Sequence, residues 1–119
     1  MPSGFPYRTK GKSDYFFQFY SSQTGIAAVN PGSQATATPL TAETCFVVTV
    51  PAGGSGVQLP QAQPGRVITV LNNHATLAIG IYPYSGDAIN ALGANAPFSL
   101  VAVTAAIFYC GVAGQWWSK

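Results

Sequence analysis

Charged side chains are scarce in this sequence. Five Lys or Arg and three Asp or Glu occur among 119 residues, 7% of the chain, against roughly 25% in an average soluble domain. Disordered segments and coiled coils depend on charge, whereas this chain is 48% hydrophobic and 13% aromatic. Both classes are excluded, and one small packed domain remains. The net charge of +2 is too low for a nucleic-acid binder, which needs a stripe of cations to neutralise several phosphates; beyond Arg8, Lys10 and Lys12 only Arg66 and Lys119 remain. Long apolar runs are also missing. The longest, Leu100 to Gly114, is interrupted by Thr104 and falls short of the ~20 residues of a membrane-spanning helix, so no membrane partner is expected. The first residues, MPSGFPYRTKGKSDYFF, lack the continuous apolar core of a secretory signal.

Chemistry-bearing residues are as few. A structural zinc site wants four Cys or His ligands with close pairs, and this chain has Cys45, Cys110 and His74, all far apart. The cysteines lie in apolar runs, TCFVVTV and AAIFYCGV, where a free thiol packs as a small hydrophobe. Asp14, Glu43 and Asp87 are too dispersed to form the carboxylate pair of acid–base catalysis. A Ser-His-Asp arrangement would depend on His74, a loop residue among Asn72, Asn73 and Ala75, and no Gly-x-Ser-x-Gly elbow exists. Gly53-Gly54-Ser55-Gly56 has no following Lys-Ser/Thr and leads into a strand, so it is a hairpin loop and not a phosphate cradle. No enzymatic activity, cofactor or metal is expected.

Aromatics and basic residues concentrate instead at the N-terminus. Residues 1–20 hold Phe5, Tyr7, Tyr15, Phe16, Phe17, Phe19 and Tyr20 together with Arg8, Lys10, Lys12 and Asp14. With Pro2, Pro6, Gly4 and Gly11 and no helical or alternating period, they read as an extended arm. Residues 21–43 are small, polar and turn-rich, with Asn30-Pro31-Gly32 as the firmest turn signal, and read as a linker over a surface. From residue 44 onward short β-branched runs alternate with Gly, Pro and Asn. This rhythm predicts strands near 44–50, 56–60, 66–72, 77–82, 97–101, 105–112 and 115–118. The turn spacing predicts an all-β domain over 44–119, a sandwich or barrel. Trp116 and Trp117 are adjacent on a predicted strand, where successive side chains alternate faces. One is expected to plug the core and the other, with Tyr82 and Tyr84, to cover a subunit interface or form a ligand platform. Asp87, after Gly86, is expected to bond local backbone N–H groups. So few charges make a poor surface for a free monomer, which predicts oligomerisation.

The run Gly56-Val57-Gln58-Leu59-Pro60, then Pro64 to Asn73 (PGRVITVLNN), then Ile81 to Leu92 (IYPYSGDAINAL), ending in Gly114-Gln115-Trp116-Trp117-Ser118, resembles a cassette of small virion proteins of tailed bacteriophages. It is similar to capsid decoration (cement) proteins and to domains of phage head fibres. The resemblance covers roughly residues 44–118 and leaves the arm unmatched. It implies a jelly-roll-like or β-sandwich domain that forms homotrimers on the outer capsid surface of a virion made in the host cytoplasm, with the major capsid protein as partner and no enzymatic activity. The aromatic, basic arm fits a capsid-binding segment, because Phe, Tyr and Arg dominate interface energetics. A receptor- or glycan-binding module of a tail or head fibre, using Tyr82, Tyr84, Trp116 and Trp117, is the alternative.

Overall fold

The structure, a computed structural model, describes residues 21–119. Its ten elements are all strands: β1 (Ser22–Ala27), β2 (Thr38–Pro39), β3 (Thr44–Thr49), β4 (Gly56–Gln58), β5 (Val67–Asn72), β6 (Ile79–Tyr82), β7 (Ala88–Ile89), β8 (Phe98–Leu100), β9 (Thr104–Val112) and β10 (Gln115–Ser118). The all-β expectation holds, and each of the seven predicted runs contains a strand. β-branched and aromatic residues dominate these strands and pack well on a pleated surface. Buried and less buried positions alternate along β3, β5, β6 and β9, the period-2 signature of strands with one face on a core.

The chain alternates between two sheets. β1, β3, β5, β9, β10 and β7 form a six-stranded sheet in that order, and β2, β4, β6 and β8 form a four-stranded one. Within the first sheet β1, β3 and β5 are parallel neighbours; within the second, so are β2, β4 and β6. Residues 22–82 therefore wind as three stacked turns of a two-sided solenoid, each turn about 19 to 25 residues long. The winding then reverses: β8 lies antiparallel on β6 and β9 antiparallel on β5. A tight turn at Ala113-Gly114 returns β10 along β9, with Gly114 at φ +83°, a conformation that costs glycine little. This connectivity differs from the two antiparallel Greek keys of a jelly roll.

Residues 21–43 correct the sequence reading. Expected as a surface linker, they supply β1 and β2 and bury Ile26, Ala28, Ala37 and Leu40, so the β body extends back to Ser22. β1 escapes notice because SQTGIA is small and polar and is bulged where it pairs with β3, with Gly25 at φ +68°. β7 is two residues long and lies inside a run that reads as turn.

Both sheets contribute to one core. Phe108 and Trp116 from the larger sheet meet Val57, Leu59, Ile79, Ile81 and Leu100 from the smaller sheet and its flanks. Phe98 of β8 stands edge-on to Phe108 of β9, ring centroids 5.3 Å apart. Each fully buried aliphatic or aromatic side chain contributes about 1.5–3 kcal/mol relative to exposure. Asn72 is buried at the end of β5, where its side-chain amide donates to the Leu77 and Leu100 carbonyls (2.9 and 3.1 Å) and its Oδ1 accepts the His74 N–H (3.1 Å). That polar knot ties the larger sheet to the smaller one.

Val103, in the turn before β9, has φ +57°. This left-handed conformation costs a β-branched residue about 1–2 kcal/mol, and its exposed side chain recovers little of that by packing. Val103→Asn, which tolerates this region, should stabilise the domain by about 1 kcal/mol, read as a higher urea midpoint at unchanged slope.

Cys45 and Cys110 are both free and buried. Burial pushes the Cys45 thiol above its ordinary value near 9.0, because a thiolate there would lose its hydration. Since the folded pKa is the higher one, this contribution is complete below that ordinary value near 9.0 and is lost as pH rises through the folded value. Stability should therefore decline as pH rises past about 9, and less steeply in Cys45→Ala. Labelling by a thiol reagent at neutral pH should be slow and should accelerate on unfolding; rapid labelling of the native protein would contradict the burial.

Candidate interaction surface

Strand pairing puts the outward side chains of the larger sheet in register. Val67 of β5 sits opposite Tyr109 of β9, and Tyr109 opposite Trp117 of β10. These three are exposed by 43%, 40% and 53% and form an apolar row across three strands. Two residues along, Thr44, Thr69 and Ile107 make a second row, continued by Lys119, which exchanges two backbone hydrogen bonds with Ile107 (2.8 and 3.1 Å). Phe46, Leu71 and Ala105 make a third, and exposed Val48 lies beyond Phe46 on β3. Apart from Lys119 at its margin, these rows carry no charge. Four strands about 4.8 Å apart and six residues of β5 at about 3.3 Å each give a patch of roughly 20 by 20 Å, on the order of 400 Å² in projection. Contiguous apolar patches of that size on a single chain are commonly functional.

An open groove of about 600 Å³ adjoins this face, with Ser21, Thr41, Glu43, Pro60 and Arg66 among its walls. The Arg66 guanidinium donates to the Gln61 carbonyl (3.1 Å), which fixes it along the loop before β5. Glu43, Arg66, Asp87 and Lys119 are the only charged residues after residue 20, two of each sign. With Asp87 buried, the β body presents Glu43, Arg66 and Lys119 as its charged side chains and is close to neutral.

The expected site residues are dispersed. Phe5, Tyr7, Arg8, Lys10, Lys12, Tyr15, Phe16, Phe17, Phe19 and Tyr20 lie outside the described residues. Trp116 is fully buried beside Ile89 and Cys110, so it belongs to the core and to neither an interface nor a platform. Its indole N–H has no hydrogen-bond partner among the described residues. Tyr82 is half-buried on the other sheet: its hydroxyl donates to the Gly32 carbonyl (3.0 Å), and a Cβ at Gly56 would meet its ring at 2.6 Å. That ring shields a glycine-lined stretch of backbone and holds the Pro31-Gly32 turn. Tyr84 is exposed in the turn after β6, and Trp117 is exposed on the apolar face. The four aromatics therefore form no common platform.

Two further residues act differently from the sequence reading. Asp87 is buried, and its carboxylate accepts the Ala62 N–H (2.8 Å), 25 residues away; the local N–H of Gly86 goes to Asn95 Oδ1 instead (2.7 Å). His74 is half-buried and caps its own turn, with Nδ1 accepting the Thr76 and Leu77 N–H groups (3.2 and 3.0 Å). Among the described residues no three His, Cys, Asp or Glu side chains gather as a metal site, and no helix is long and apolar enough to cross a membrane. The sequence reading does not single out Val48, Val67, Leu71, Ile107 and Tyr109 as surface residues, although the largely apolar runs FVV, VITVL and AAIFY that hold them carry the signal of strands with two apolar faces. Comparison with protein-family models, with curated proteins and with solved structures finds no match for this chain.

Proposed function

We propose that this chain is a virion structural protein, a capsid decoration (cement) protein that binds the outer capsid surface as a homotrimer and stabilises the head. The observation that supports this best is the exposed, nearly charge-free apolar face of the larger sheet, a surface suited to contact with protein and poorly suited to water. In this reading the two-sheet body takes the place of the jelly-roll-like or sandwich domain of decoration proteins, reached by solenoid-like winding. The arm of residues 1–20 supplies the contact with the major capsid protein: Arg8, Lys10 and Lys12 steer encounter, and Tyr15, Phe16, Phe17, Phe19 and Tyr20 set the off-rate. Stabilisation follows from linkage, since a protein that binds only the assembled lattice favours that lattice by mass action, and three arms on one trimer add avidity.

The test is to add the purified full chain to undecorated heads of the parent phage. Saturable binding and a raised disruption temperature of the heads are expected; heads that remain bare at micromolar protein would overturn the reading. The glycan-binding alternative retains only Trp117 and Tyr84 as exposed aromatics of the expected four. A glycan-array response without head binding would favour it.

A further inference from the structure

We propose that the outer face of the six-stranded sheet is the seat of this chain's own residues 15–20, Tyr15-Phe16-Phe17-Gln18-Phe19-Tyr20, which cross it along the Val67–Tyr109–Trp117 row. The strand register shows where that segment enters. Ser22 stands beside Thr44, Thr44 beside Thr69 and Thr69 beside Ile107, so Ser22 extends the second row of the face. Tyr20 precedes Ser22 by two residues as Val67 precedes Thr69, which puts Tyr20 at the register position of the Val67 row. At that level β3 has not begun, because the chain reaches Thr44 from β2 in the other sheet. The gap is the open groove, whose walls include Ser21, Ala42, Glu43, Arg66 and Val67. Ser21 is fixed at its edge: its carbonyl accepts the Thr44 N–H and its hydroxyl the Glu43 N–H, both at 3.1 Å. The described residues thus begin at a groove that shares Val67 with the apolar row.

Length and composition match the seat. The sheet order β1-β3-β5-β9-β10 makes four strand spacings from the line of β1 to β10, about 19 Å, and six extended residues at ~3.3 Å each span about 20 Å. Five of the six are aromatic, the side chains with the largest apolar area to bury. The tether then selects this occupant over a second copy or a capsid. A segment joined to the border of the face meets it at an effective concentration in the millimolar range, about a thousandfold above a partner free at micromolar concentration. In the free chain arm and face shield each other, and a head that takes the arm uncovers the face. The inference goes beyond the capsid reading, since it holds whichever partner the arm meets.

The experiment puts a photoreactive benzoylphenylalanine in place of Phe17 in the full chain, illuminates it without heads, and maps the product by mass spectrometry after a denaturing gel. A product of one subunit mass, linked to β5, β9 or β10, is expected. A product of two subunit masses linked to those strands gives the face to another copy's arm and overturns the proposal, as does a link elsewhere or no link. A full chain carrying Phe16→Ser, Phe17→Ser and Phe19→Ser supplies a second readout and alters no described core residue. Its Tyr109 should be oxidised by hydroxyl radicals several-fold faster than in the wild type, reaching the rate of Tyr84; an unchanged rate overturns the proposal. Head binding of the wild type, measured on the same preparation, separates the two readings. An intrachain link with heads left bare keeps this inference and fails the capsid reading, and decorated heads without the link do the reverse.

Discussion

Replacing Trp116 by alanine should cost about 3–5 kcal/mol, a large share of the roughly 5–15 kcal/mol that holds a domain of this size, and should lower its unfolding midpoint markedly. The indole is fully buried and stands in register with Cys110 on one side and Ile89 on the other. It closes the end of the core where β9, β10 and β7 meet, and the surrounding strands are too firmly paired to collapse into the space it leaves. Trp116→Phe should be far milder. It forfeits some packing, but it also removes an N–H that has no partner among the described residues, and an unmet buried donor costs about 1–3 kcal/mol. Urea unfolding of the two variants checks this. If the alanine variant lies within 1 kcal/mol of the wild type, on the order of the median point mutation, Trp116 is not the keystone of that end.

Deleting residues 1–20 should abolish tight head binding while leaving a folded β body. Every described strand begins at Ser22 or later, so the deletion removes none of the described core. It does remove seven aromatics and the Arg8, Lys10 and Lys12 cluster. Aromatic anchors each carry about 2 kcal/mol or more at interface centres, so losing several should weaken binding by several orders of magnitude. Replacing only Arg8, Lys10 and Lys12 by alanine should slow association and flatten its salt dependence, with little change in the off-rate. A truncated chain that decorates heads as well as the full one would move the capsid contact onto the β body.

How far the fold was legible depended on the kind of signal each segment carries. β5 and β9 announce themselves through β-branched and aromatic runs, and Leu77, Ile79 and Ile81 through clean alternation. β1 and β2 offer SQTGIA and TP, which become strands because the next turn of the winding supplies their hydrogen-bond partners, a tertiary cause that local propensity does not record. The parallel stacking itself was hidden, since the turns differ in length and share no repeated residue at a fixed spacing. Asp87 was legible as a turn residue, but its partner is the Ala62 N–H, brought near by the fold. The apolar face was visible in part: Ile107 and Tyr109 alternate with Ala106, Phe108 and Cys110, and only the register of β5, β9 and β10 shows that Val67, Tyr109 and Trp117 share one row.

The central claim, that this face is covered in the working protein, is tested most directly by hydroxyl-radical footprinting of the native full chain, read at two tyrosines. Tyr109 on the face and Tyr84 in the turn after β6 are chemically identical and nearly equally exposed in the single chain, 40% and 45%. Coverage of the face predicts that Tyr109 is oxidised several-fold more slowly than Tyr84, and that the difference vanishes when the protein is unfolded. Equal oxidation of the two in the native protein would show the face open to water and contradict the claim.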